Sequence, residues 1–141
     1  MSTTAAAPPA SGLLKGSLWI AQALLFALYV LIGLAKLTLP ISKLAGTMTW
    51  TAQAPEVFVR AIGLIDFAGG VGILLPALTR IQPRLTVAAA LGCTALQVLA
   101  ISFHFVRGEA ALTPLNFALL ALSVFVLWGR GRKAPIQPRR A

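Results

Sequence analysis

The sequence predicts an all-α fold, a bundle of four transmembrane helices, and three observations predict it. Of the 141 residues, 58% are hydrophobic and only 11% are charged, against roughly 25% charged in soluble domains. Four apolar runs, at residues 18–39, 57–78, 85–106 and 112–128, each approach the roughly 20 residues an α-helix needs to cross about 30 Å of hydrocarbon. The runs are too long and too unalternating for barrel strands, and a chain in lipid must then satisfy its backbone groups within helices.

The mean hydropathy of +0.87 is more than one small soluble core can hide, since 141 residues would leave large apolar patches in water. One membrane domain is expected over residues 18–129. Residues 1–17, with Pro8, Pro9 and many small side chains, are expected to form a disordered arm, and residues 130–141 a basic tail. The first run exceeds a signal-peptide core and lacks a small-residue cleavage site after it, so it is expected to remain. Pro40 ends it and the short fourth run closes the domain.

The net charge of +9 does not point to nucleic acid, because the cations sit at the ends of apolar runs and in the tail. That is the pattern of a chain whose partner is a lipid bilayer with anionic headgroups. With four spans, one side holds Lys15, Arg80, Arg84, Arg130, Arg132, Lys133, Arg139 and Arg140, and the other holds Lys36, Lys43, Arg60 and Arg107. Eight against four predicts that both termini are cytoplasmic. Glu56, Asp66, Glu109 and the single His104 all fall in the outward half, so any chemistry is expected there.

Cys93 is the only cysteine, which excludes an intrachain disulfide, a Cys-x-x-Cys pair and a thiolate cage. It is expected to be a small packing residue. A lone histidine makes a poor metal or haem site, and no intrinsic cofactor is expected. The longest outward connection, residues 41–56, carries Met48 and Trp50. Trp50 is expected to anchor at headgroup depth, with a lid as the other reading.

Polar side chains on apolar helices should face the bundle interior, so their angular spacing is informative. Gln22, Tyr29 and Lys36 recur every seven residues and share a face of the first span. Gly63, Asp66 and Gly70 share one on the second, where the glycines predict close helix contact and Asp66 requires either a cation such as Lys36 or a proton. In the third span Cys93, Gln97, Ala100, His104 and Arg107 form one stripe, and in the fourth Asn116 aligns with Ser123.

The outward ends of these stripes gather Lys36, Arg60, Asp66, His104, Arg107, Glu109 and Asn116 into one candidate pocket. Ionisable groups at membrane depth point to function, although a self-satisfied ion network that only fixes packing is the alternative. Histidine ordinarily titrates near neutrality, which suits His104 to carrying protons, with Asp66 or Glu109 as its tuning partner. Arg60 and Arg107 either snorkel to lipid phosphate or bind an anionic group.

Several short motifs occur in order along these spans. They are Gly33-x-x-Lys36-Leu37, Arg60-x-x-Gly63-x-x-Asp66 followed by Gly70-x-Gly72-Ile73-Leu74-Leu75-Pro76, Phe103-His104-x-x-Arg107-Gly108-Glu109, Asn116, and Gly129-Arg130. In this respect the chain resembles the DoxX-like family of small four-helix membrane proteins. The resemblance implies a plasma-membrane bundle of a kind tied in some members to quinone-linked or thiol-linked redox systems. Many relatives carry glutamate where this chain has the shorter Asp66.

The reading that follows is a component of a membrane oxidoreductase system, with a quinone or similar ring between the stripes. Asp66, His104 and Lys36 are the expected catalytic groups, the first two moving protons and Lys36 or Arg107 stabilising an oxyanion. Tyr29, Arg60, Gln97, Arg107, Glu109 and Asn116 are the expected substrate contacts. Electrons must come from the quinone or from a membrane protein partner, and a homodimer is also open. The alternatives are a non-redox isomerase or cyclase working by acid–base chemistry on a hydrophobic small molecule, and a non-catalytic scaffold or assembly factor.

Overall fold

A computed structural model describes residues 5–140 of the chain. Its long elements are α1 (Gly12–Thr38), α3 (Glu56–Thr79), α4 (Arg84–Val106) and α5 (Pro114–Trp128), with the single-turn α2 (Ile41–Leu44) and a 3₁₀ turn (Thr49–Ala52) between α1 and α3. A π-helical turn (Gly129–Lys133) continues α5, and the combined span of 20 residues is, like the other three, long and apolar enough to cross a membrane. No strand occurs among the described residues. The fold is therefore the all-α four-helix bundle that the apolar runs predict.

α1 starts at Gly12, six residues before the apolar run. Ser11 causes this: its side chain accepts the Leu14 backbone N–H at 3.1 Å and caps the first turn. The arm expected over residues 1–17 thus gives up its last six residues to the helix, and residues 1–4 lie outside the described part. At the other end Leu39 is extended, with ψ 147°, because the ring of Pro40 disfavours the helical conformation in the residue before it.

The long helices neighbour one another in the cyclic order α1, α3, α4, α5. α1 and α3 approach most closely, and glycine is the reason. A Cβ on Gly33 would lie 2.6 Å from the Phe67 backbone nitrogen and 2.7 Å from the Gly63 carbonyl oxygen, and one on Gly63 would meet Lys36 Cβ at 2.7 Å. Gly70 similarly faces Tyr29 and Val30. Backbones in contact gain the dispersion that drives helix association where lipid removes the hydrophobic driving force.

Ala21, Leu25, Tyr29, Ile73, Ala90, Cys93, Leu119 and Val126 make the central core. Cys93 is buried and packs beside Gly69, as a small core residue would. Large side chains such as Ile20, Leu31, Leu64 and Leu91 are instead more than half exposed on the outside of the bundle. In water they would form a continuous apolar belt, and in a bilayer they meet acyl chains.

Two sequence expectations are corrected at the ends of the bundle. Trp50 is not a headgroup anchor: it turns inward to 9% exposure and sits edge-on to Phe58 and Phe103, with ring centroids 6.2 and 6.0 Å away. Arg130 does not extend from a free tail: it is 4% exposed, because Gly129 lets the π turn press against Leu18 of α1. Its Nε donates to Gln22 Oε1 at 2.7 Å, and Gln22 Nε2 donates in turn to the Ile73 carbonyl at 2.8 Å. The tail also folds back, since Arg80 donates to the Gln137 carbonyl at 2.9 Å and the Arg139 N–H to the Arg80 carbonyl at 2.9 Å.

Candidate functional site

At the end opposite the chain termini, the four helices enclose a cavity of about 600 Å³, within the size range of small-molecule sites. Most of its wall is apolar, from Ile32, Ile62, Leu96, Leu99, Leu115 and Leu119 among others. Six of the nine site residues expected from sequence line it: Tyr29, Lys36, Asp66, Gln97, His104 and Asn116. Asp66 and His104, which sit on different helices, therefore do face one space.

Lys36 projects from the last turns of α1, one turn above the Gly33–Gly63 contact, and meets Asp66 of α3. Lys36 Nζ donates to Asp66 Oδ2 at 2.7 Å, and both side chains are buried. Of the two possibilities open for Asp66, a cation or a proton, the structure supplies the cation. The ammonium also lies 5.6 Å from the centre of the Trp50 ring, close enough for a cation–π contact. Across α1, α4 and α5 runs a hydrogen-bonded chain in which Gln97 Nε2 donates to the Tyr29 hydroxyl at 2.8 Å and Asn116 Nδ2 donates to Gln97 Oε1 at 2.9 Å. That leaves the second Asn116 N–H as a donor still to be used.

His104 ends the α4 stripe, and Glu109, held by the tight turn at Gly108 with φ +72°, reaches back to it. His104 Nδ1 lies 3.0 Å from Glu109 Oε2. A carboxylate there accepts from Nδ1–H, which leaves Nε2 as the ring's other polar atom. Arg107 grips the same carboxylate with two bonds, of 3.1 and 2.9 Å, and also donates to Gln53 of the α2–α3 connection at 2.8 Å. Thr49 Oγ1 comes within 3.5 Å of Glu109 Oε1. The lid that carries Trp50 is thus latched to the carboxylate that orients His104.

Three expected contacts stand outside the cavity wall. Arg107 and Glu109 form this latch. Arg60 caps the end of α1 by donating to the carbonyls of Lys36 and Leu39 and pairs with Glu56 at 2.7 Å, satisfying helix-end acceptors as a basic side chain can. Conversely, the sequence did not single out Phe58, and it named Phe103 only within a motif, not as a ring that with Phe58 holds Trp50 in the roof. The available signal was a tryptophan in the longest loop, and it fitted an interfacial anchor equally well.

The Arg107 guanidinium beside Glu109, with the His104 hydrogen bond second, pulls the carboxyl from an ordinary 4.5 down to about 2. Because the folded carboxyl binds its proton more weakly than the unfolded one, the latch contributes fully above about pH 4.5 and is lost as pH falls from there towards 2. A Glu109→Gln variant checks this directly. His104 is the only histidine, so one imidazole ¹⁵N signal set in a tag-free sample reports its tautomer. The wild type is expected to favour the Nδ1–H tautomer and the variant to lose that preference.

The family model for the DoxX-like family matches residues 20–126, from the first span into the fourth. The chain belongs to the DoxX-like family. No curated protein and no solved structure matches it. In this DoxX-like protein the motif residues Lys36, Asp66, His104 and Asn116 meet at one cavity, while Gly33 and Gly63 secure the helix crossing beneath them.

Proposed function

We propose that this DoxX-like protein is the quinone-binding member of a membrane oxidoreductase system. The observation that carries the reading is the apolar cavity of about 600 Å³ with Lys36–Asp66 on one wall and His104, oriented by Glu109, on another. A lipophilic ring fits such a space, and the free hydrogens of Lys36 Nζ and Asn116 offer donors to its carbonyl oxygens. Lys36 supplies positive charge where an oxygen becomes negative. His104 Nε2 exchanges a proton with the ligand oxygen, while Glu109 stabilises the imidazolium from the other side. Bound quinone itself supplies the two-electron chemistry, taking two electrons and two protons to become quinol. With a single cysteine the chain has no dithiol of its own, so the electrons come from a partner.

Cation counts support cytoplasmic termini, which puts the cavity on the outer side, and the family resemblance implies the plasma membrane. A second reading has its own observation: every polar group on the wall is a proton donor or acceptor, as an isomerase or cyclase also requires. In that case Asp66, a carboxylate paired with an ammonium, acts as base rather than acid.

Mass spectrometry of small molecules retained by gently purified full-length protein separates the two readings. The expected result is a quinone in the wild type, absent from Asp66→Asn, together with quinone-dependent turnover that falls at least about tenfold in His104→Ala, the low end of what a positioned acid–base group contributes. A retained lipophile whose product has the same oxidation level would instead establish the non-redox reading. No retained ligand and unchanged turnover in His104→Ala would sink both.

A further inference from the structure

We propose that the end of the bundle bearing the chain termini holds a phosphate-binding site built on Arg130 and Lys15, fitted to the headgroup phosphate of a phospholipid. The ions of this chain are sorted by end. All three acidic side chains lie towards the lid, each paired with a cation, whereas eight lysines and arginines gather at the other end with no aspartate or glutamate among them. Arg130 is the one that is buried. Its neighbours are all neutral: Gln22 Oε1 at 2.7 Å, the Ala134 carbonyl at 3.1 Å and the face of Trp19 at 4.8 Å. Its Nη2 is buried with no hydrogen-bond partner. A guanidinium carries five N–H donors, and a buried cation without a counter-ion is costly, so this group is short of an anion.

The position is fixed by packing rather than chosen by a loose side chain. Gly129 abuts Leu18, and Gln22 is held on its far side by the Ile73 carbonyl. Lys15, Trp19 and Gln22 follow at spacings of four and three, so exposed Lys15 lies on the same face of α1 one turn beyond the ring that Arg130 covers. A phosphate that reaches Nη2 accepts its unused hydrogens in a charge-assisted bond, with Lys15 as the second charge. The site sits where an apolar span ends, which is headgroup depth.

The test uses the full chain exchanged from vesicles of phosphatidylcholine with and without phosphatidylglycerol, read by native mass spectrometry. A parallel arm adds inorganic phosphate to lipid-free detergent samples and reads the thermal midpoint. One retained phosphatidylglycerol is expected, with retention reduced about tenfold or more in R130Q and K15Q and unchanged in R139Q. A midpoint raised by inorganic phosphate and lost in the same two variants would establish the site with free phosphate as its source. Should R130Q fail to fold, K15Q decides, because that side chain is exposed. Absence of both effects, or an equal loss in R139Q, overturns the proposal in favour of diffuse surface charge.

Discussion

Replacing Asp66 with alanine is expected to destabilise the protein by about 3–5 kcal/mol, because it leaves the Lys36 ammonium buried without its counter-ion. Lys36 cannot escape by snorkelling while its stem packs against Gly63 and its head lies against Trp50. The double variant Lys36→Met/Asp66→Leu removes both charges and is expected to recover most of the loss, since a buried pair contributes little beyond an apolar pair of similar size. Denaturation in detergent measures the three stabilities. Ligand retention follows a different pattern: it is expected to stay absent in the double variant. If retention returns along with stability, the pair serves only to specify the bundle and the scaffold reading gains. A loss below about 1 kcal/mol in Asp66→Ala would show that the ammonium reaches water or lipid phosphate, contrary to the closed geometry.

Gly33→Ala is the second large effect, expected to cost about 1–3 kcal/mol from overpacking. The added Cβ meets backbone atoms of Phe67 and Gly63 at 2.6 and 2.7 Å, and backbone cannot rotate aside as a side chain can. α1 and α3 must separate, and the Lys36–Asp66 bond one turn above opens with them, so ligand retention falls too. Gly92→Ala is the matched control. A Cβ there meets nothing within 4 Å, and the better helix propensity of alanine is expected to stabilise by up to about 1 kcal/mol. Equal outcomes for the two glycines would mean that close contact between α1 and α3 is not what holds the crossing.

Both variants act on a site whose chemistry depends on two layers of support. Lys36 and Asp66 are set by the glycine crossing below them and by Arg60, which ties the end of α1 to α3. His104 is set by Glu109, and Glu109 by Arg107 and Thr49, while Gln53 accepts from Arg107 and steadies it. The connection that carries Trp50 is therefore tied to the carboxylate behind the histidine. In the proposed function this couples ligand entry to the group that moves the proton.

Much of this was legible in the residues themselves. Helices in lipid must be long, apolar and internally hydrogen-bonded, so four spans follow from run length and composition alone. The seven-residue spacing of Tyr29 and Lys36, and the stripe through Gln97 and His104, fixed which side chains share a face, because the helical period leaves no other choice. The glycines at 63 and 70 marked a close helix contact for the same reason.

Periodicity ranks angles within one helix and says nothing of distances between helices or of where a loop goes. Arg60 and Asp66 both looked like pocket residues, yet only the docking of α1 against α3 decided that one caps a helix end and the other enters the cavity. Trp50 and Arg130 looked like interfacial side chains, since both types favour headgroup depth. Their burial came from contacts with residues distant in the chain, Phe103 for the one and Gln22 for the other. Local composition determined what this protein dissolves in and which faces turn inward, whereas the tertiary packing alone decided which inward groups meet and which are left wanting a partner.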